Sequence, residues 1–200
     1  MRRKDSCEKR GEYARLEAGA RDRVKGSPMT FTPPRPNHAI CEIVLADPAA
    51  TDRLGKLLAG VVGPRDVVAL WGDLGAGKTS LARALIQALL AAHGLQEDVP
   101  SPTFTLVQTY EAGGLPIWHA DLYRLSHPDE LLELGLGEAL EAGLLLVEWP
   151  DRMDGDLPGE RLDIALEEME DGRLARLTGW GGSWEERVNR IAVNMAGKDA

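Results

Sequence analysis

Eight consecutive residues, Gly72-Asp73-Leu74-Gly75-Ala76-Gly77-Lys78-Thr79, fit the pattern G-x-x-x-x-G-K-[ST] at every fixed position. The spacing has a chemical reading. Glycines let successive backbone N–H groups turn inward around phosphate oxygens. Lys78 reaches the β and γ phosphates of a nucleotide, and the Thr79 hydroxyl is a magnesium ligand. Ser80, the next residue, lies at the edge of the nucleotide-binding set and reads as structural. A glycine-rich turn before a helix would look much the same, so the flanking elements must decide.

A magnesium site needs a carboxylate beyond the Thr79 hydroxyl, and hydrolysis needs a group that orients or deprotonates water. Two acids end strand-like runs: Asp121 in IWHAD and Glu148 in LLLVE. Ligands of open α/β sheets collect outside the carboxyl ends of the strands. Asp121 can therefore hold magnesium, directly or through water. Glu148 can coordinate through water or serve as the base. Lys78, Asp121 and Glu148 are the candidate catalytic residues, and a surface salt bridge or cap is the plainer role for either acid.

Ser101-Pro102-Thr103-Phe104-Thr105 is dense in hydroxyls. A threonine here can close over the γ phosphate as a switch does, or simply begin a strand. His119 stands two residues before Asp121, which puts both on one face of a strand. It can bond a phosphate-side group or be an ordinary half-buried histidine. Trp149 can stack near the nucleotide or pack under a loop. Tyr123 and Arg124 can form a partner surface or pin the helix that follows, and Arg124 can instead reach phosphate.

The elements needed to position these residues are legible. DVVALW (66–71) is a short apolar run suited to a buried strand. It leads into the glycine stretch. TSLARALIQALLAAHG follows as a helix, with Leu81, Leu85, Leu89 and Ala92 on one face and Gly94 closing it. Strand, glycine loop and helix are the setting a phosphate loop requires. Upstream, AICEIVL reads as a first strand, and Asp47-Pro48 opens a helix running to about Leu58. Downstream, residues 104–110 and 116–119 read as strands joined by a Gly113-Gly114 turn. Ser126 is a candidate cap for a helix over HPDELLELG, and LGEALEAG for a second helical piece. LLLV (144–147) reads as a buried strand. RLDIALEEM and RLARLTG read as a closing hairpin. The last twenty residues read as a tail or a loosely docked helix. The expected fold is a single α/β P-loop domain with a mixed parallel and antiparallel sheet flanked by helices.

The chain has 200 residues and a formal net charge of −9, so bulk attraction to nucleic acid is not expected. Residues 1–37 carry 10 Lys and Arg against 5 Asp and Glu, and the remainder carries 13 against 27. The first segment lacks apolar periodicity and ends TFTPPRPN, which reads as a disordered basic extension. The domain boundaries expected are 1–37 for that extension, 38–180 for the P-loop domain and 181–200 for a tail. Cys7 and Cys41 are the only cysteines and form no C-x-x-C, so neither a disulfide framework nor a cysteine zinc site is expected. No apolar run approaches the roughly 20 residues needed to cross a bilayer. No secretory signal stands at the N-terminus. A cytoplasmic protein without membrane contact is expected.

A phosphate loop implies a nucleotide but not a reaction. No Asn-Lys-x-Asp base reader is present, and Asp156-Leu157-Pro158-Gly159 matches D-x-x-G only within a polar loop. ATP is therefore favoured over GTP. A small-molecule kinase would need an acceptor pocket and an arginine-bearing lid, for which little sequence is available. A kinase, or a nucleotide-gated assembly factor that does not hydrolyse, is the alternative reading.

Together, GDLGAGKT (72–79), SPTFTLV (101–107), HADLYRL (119–125) and LVEWP (146–150) resemble the TsaE (YjeE) family. The match in order and spacing extends over about residues 40–180. The family is the small bacterial ATPase of tRNA threonylcarbamoyladenosine biosynthesis. The resemblance implies ATP and magnesium at Lys78 and Thr79, and a switch-like role for Thr103. It also implies a metal-associated Asp121 and site roles for Glu148 and Trp149. It implies TsaD and TsaB homologues as partners, with tRNA met only through their complex. The threonylcarbamoyl group goes to N6 of adenosine 37. The resemblance implies an ATPase that is weak in isolation and that lets the TsaD–TsaB pair turn over, not the transferase itself. Self-association stays open.

Overall fold

A computed structural model describes residues 41–125, 130–153 and 156–197. Seven strands form one sheet in the order β1-β7-β6-β2-β5-β4-β3. They are β1 (Cys41–Leu45), β2 (Val67–Trp71), β3 (Val107–Ala112), β4 (Leu115–Asp121), β5 (Leu144–Glu148), β6 (Arg161–Glu168) and β7 (Arg173–Trp180). The middle four, β6, β2, β5 and β4, run parallel. Antiparallel pairs extend the sheet on both sides: β6 with β7, β7 with β1, and β4 with β3. The expected mixed sheet is present, and the sequence explains its layout. Central β2 and β5 are almost wholly buried, as parallel strands covered on both faces must be. Edge strand β1 alternates, with Ile43 and Leu45 inward and Glu42 and Val44 outward.

The strand alternation splits the apolar residues into two cores. Val68, Leu70, Leu144, Leu146 and Ile117 face one side. There they meet α1 (Pro48–Ala59), α2 (Lys78–Ala92) and α5 (Trp184–Ala196). Val67, Ala69, Leu145, Val147 and Ala120 face the other, against α4 (Leu136–Ala142) and the short α3 (Glu130–Glu133). Helix α1 begins where expected: the Asp47 side chain accepts from Ala50 N at 2.7 Å, and Pro48 occupies the first turn. α1 and α2 approach so closely at Gly55 that a Cβ there would lie 2.5 Å from the Ala84 Cβ. α2 ends at a Schellman-type turn, with Gly94 at φ +72° and Leu95 N donating to Leu90 O at 3.0 Å. On α2, Leu81, Leu85 and Leu89 face the core as expected, but Ala92 is exposed; Ile86 and Leu90 complete the face instead. Ala92 is the last residue of the helix, at an end where residues 91–95 are all exposed.

Two further expectations need correction. The strand expected over 104–110 begins only at Val107, because Pro102–Thr105 form turns and Leu106 takes a left-handed φ of +63°. The Gly113-Gly114 turn is present, with φ of +58° and +84°, the pair of positive values that a tight two-residue hairpin favours. Of the two readings of the last twenty residues, tail or docked helix, residues 184–196 take the second. Helix α5 buries Trp184, Val188, Ile191 and Met195 against β7, β1 and α1. Arg187 anchors it through two bonds to Asp66, at 2.6 and 3.0 Å, and one to Val61 O. The i, i+4, i+7, i+11 spacing of those apolar residues carries that helical signal among polar neighbours. The domain therefore extends past 180. The cap expected at Ser126 and the segment 1–37 lie outside the described residues, and Cys41 is a free thiol. Among the described residues no helix is long and apolar enough to cross a membrane.

Candidate functional site

The phosphate loop joins the C-terminal end of β2 to the N-terminus of α2. Gly72, Gly75 and Gly77 all have positive φ, at +137°, +85° and +103°. A Cβ on Gly72 would stand 2.4 Å from the Leu166 carbonyl oxygen of β6, so the loop can leave the sheet there only as glycine. Gly77 caps α2 without any side-chain bond to its first N–H groups, which leaves those donors for an anion. Ala76 is buried under the loop, while Asp73, Leu74, Gly75 and Ser80 are exposed.

Lys78 is 4% exposed. Its Nζ donates to Gly72 O at 2.7 Å and Asp73 O at 2.8 Å, and it lies 3.8 Å from the centroid of the Trp149 ring. Burial pulls the ammonium below the ordinary lysine value; Glu148, Asp121, Asp73 and Asp151 oppose that shift. Trp149 itself has φ +59°, an uncommon conformation for a bulky residue. It turns the chain sharply after β5 and brings the indole over Lys78, with Tyr123 tilted against it at 4.9 Å between centroids.

The two expected acids end adjacent parallel strands in register, Asp121 opposite Glu148. Both are nearly fully buried. Glu148 Oε2 accepts from the Thr79 hydroxyl at 2.8 Å, and its Oε1 lies 2.8 Å from His119 Nε2. Asp121 Oδ2 accepts from Thr103 Oγ1 at 2.7 Å, and Oδ1 from the Tyr123 N–H at 3.0 Å. Since Thr103 gives its proton to Asp121, the 2.6 Å contact to Ser101 is a donation from Ser101. The 101–106 segment is further held by Leu106 N to Pro102 O, and by Asp121 N to Leu106 O. Thr103 is thereby fixed to the second carboxylate, while Phe104 stays 82% exposed with the Arg124 guanidinium 4.4 Å over its ring.

Lys78, Thr79, Thr103, Asp121, Glu148 and Trp149 are thus brought together beside the loop. Among the described residues no group of three or more His, Cys, Asp or Glu side chains gathers as a metal cage. The oxygens of Thr79, Asp121 and Glu148 are hard donors of the type that would hold a cation such as magnesium. His119, open on sequence, is fully buried on the same face as Asp121 and bonds the other acid. One residue went unnoticed in the sequence. Arg173, at the start of β7, donates from Nη2 to Gly75 O at 3.3 Å. Its Nε would sit 3.1 Å from a Cβ on Gly77. No local signal marks it, because the β6–β7 hairpin alone brings it to the loop.

Comparison with known proteins shows the family. The model of the family described as "Threonylcarbamoyl adenosine biosynthesis protein TsaE" matches residues 45–176. The tRNA threonylcarbamoyladenosine biosynthesis protein TsaE of Rickettsia felis is 40% identical over 131 residues, covering 66% of this chain and 75% of that protein. The protein of the same name from Bacillus subtilis is 39% identical over 141 residues, covering 70% and 85%. The crystal structure of Bacillus subtilis YdiB superposes with a TM-score of 0.60 at 31% identity, over 80% of this chain and 96% of that one. With an α/β nucleotide-binding fold and the loop, hydroxyls and paired acids in place, the chain belongs to the TsaE family of threonylcarbamoyl adenosine biosynthesis proteins.

Proposed function

We propose that this protein binds ATP with magnesium at the phosphate loop and hydrolyses it slowly. In this reading, hydrolysis is coupled to TsaD and TsaB homologues and supports their transfer of threonylcarbamoyl to adenosine 37 of tRNA. The observation that carries the reading is the pairing of Thr79 with Glu148, and of Thr103 with Asp121, beside a buried Lys78. Loop amides and the free N–H groups of α2 hold phosphate oxygens. Lys78 adds a fixed cation at the β and γ phosphates. Thr79, Asp121 and Glu148 supply the oxygens for magnesium, which when bound neutralises phosphate charge. Glu148 orients the attacking water and takes its proton. The water oxygen bonds to the γ phosphorus as the bond to the bridging oxygen breaks, yielding ADP and inorganic phosphate. Thr103 carries the state of the γ phosphate to the exposed 101–106 segment, where a partner can read it.

With a net charge of −9, the protein needs no strong tRNA affinity of its own; tRNA is met through the partners in the cytoplasm. The test is magnesium-dependent phosphate release from ATP, by the protein alone and then with TsaD, TsaB and tRNA. Slow release that the partners raise and Glu148→Ala abolishes is expected. Tight ATP binding with no release in either arm would replace the ATPase by a nucleotide-gated assembly factor.

A further inference from the structure

We propose that His119 is a positioning residue for Glu148: its Nε2–H donates to Oε1 and holds the carboxylate in the rotamer that faces the phosphate loop. The inference rests on the reading of Glu148 as the catalytic base. The observations come from three elements. His119 lies in the middle of β4, fully buried, with Nε2 2.8 Å from Glu148 Oε1. Glu148 ends β5, and its other oxygen accepts from Thr79 at the start of α2. Each carboxylate oxygen is therefore engaged by a separate donor, and the Glu148 side chain is held from both sides.

The direction of the bond follows from the partners. His119 Nδ1 is buried and has no hydrogen-bond partner among the described residues. A proton on Nδ1 would leave an N–H orphaned in the core and turn a bare Nε2 lone pair toward a carboxylate. With the proton on Nε2 the donor is satisfied, and only an acceptor lone pair is left over, the less costly omission. An imidazole fixes a carboxylate well because its ring is rigid and is itself clamped between strands. Residues that orient a ligating carboxylate from behind typically matter by roughly ten- to hundredfold in activity.

A buried histidine can also serve only to fill space, so the experiment must separate packing from positioning. His119→Leu removes the donor and keeps an apolar side chain. His119→Gln keeps an N–H donor at similar reach. Phosphate release is measured for both in the full chain, with and without TsaD, TsaB and tRNA, beside binding of a fluorescent ATP analogue and thermal melting. The Leu variant is expected to lose roughly ten- to hundredfold in kcat with KM for ATP within about threefold, and the Gln variant to recover most of it. Placed in the Glu148→Ala background, His119→Leu should cost nothing further, since it acts through an acid that is gone. A separate readout needs no turnover. In protein labelled with nitrogen-15 histidine, His119 should show a slowly exchanging proton on Nε2. That signal should be absent from His119→Gln and shifted in Glu148→Ala.

Equal losses in the Leu and Gln variants, additive loss in the Glu148→Ala background, or a proton found on Nδ1 would each overturn the inference. Glu148→Ala hydrolysing like the wild type would instead end the reading of Glu148 itself, a result visible without any change at His119. Should His119→Leu fail to fold, the Gln variant and the nitrogen-15 spectrum still decide.

Discussion

Lys78 and Glu148 sit within one buried patch, yet their replacement should fail in different ways. In the proposed function Lys78 would meet the phosphates as a cation already buried, so its loss should fall on binding. Lys78→Ala should weaken ATP by about 1.5–3 kcal/mol, roughly ten- to hundredfold, as seen by titration of a fluorescent analogue. Glu148 touches the loop only through the Thr79 hydroxyl, so its loss falls on the chemical step. Glu148→Ala should bind the analogue nearly as well as wild type and lose roughly 10²–10⁴-fold in phosphate release. Equal binding and equal hydrolysis in both variants and wild type would remove the proposed site. The types and order of these residues could be read directly, because the phosphate-loop spacing is set by backbone geometry. The partners of each acid could not. Nothing local indicates that Glu148 takes the Thr79 and His119 bonds while Asp121 takes Thr103, since the strand register makes that choice.

Among the elements, the helices carry predictions that do not depend on the activity. Trp184 is 2% exposed and anchors α5 to the sheet, with the Arg187 guanidinium 3.5 Å over its ring. Trp184→Ala should lower stability by about 3–5 kcal/mol in urea unfolding; a change under 1 kcal/mol would return this segment to a dispensable tail. Asp47→Ala removes one cap bond from α1 and should cost about 1 kcal/mol, with ATP binding unchanged. Cap, proline and hydrophobic spacing marked α1 and α2 plainly. β3 starts later than its residue types suggest, for a physical reason. Phe104 and Thr105 have high strand propensity, but Thr103 bonding Asp121 and the left-handed Leu106 divert the backbone before pairing begins.

At the scale of the whole molecule, residues 1–37 lack the apolar periodicity of a packed segment. A chain lacking residues 1–37 should therefore keep its melting temperature and its ATP affinity. A drop in either would bring the basic segment into the domain. In the proposed function, the net charge of −9 and the exposed Phe104 suit contact with partner proteins rather than with tRNA. Partner stimulation should accordingly persist when tRNA is withheld, though reduced, and phosphate release with TsaD and TsaB alone measures it.

The sequence by itself determined the phosphate loop, the acids at two strand ends, the hydroxyl-rich 101–105 segment, the mixed sheet and the family resemblance. These are local: glycine conformations, alternation and helical spacing act within a few residues. The tertiary structure decided the strand order, the place of α5 in the core, the pairing of each acid and the presence of Arg173 against the loop. Those depend on which distant segments share a register, and register is a property of the assembled sheet rather than of any stretch of it.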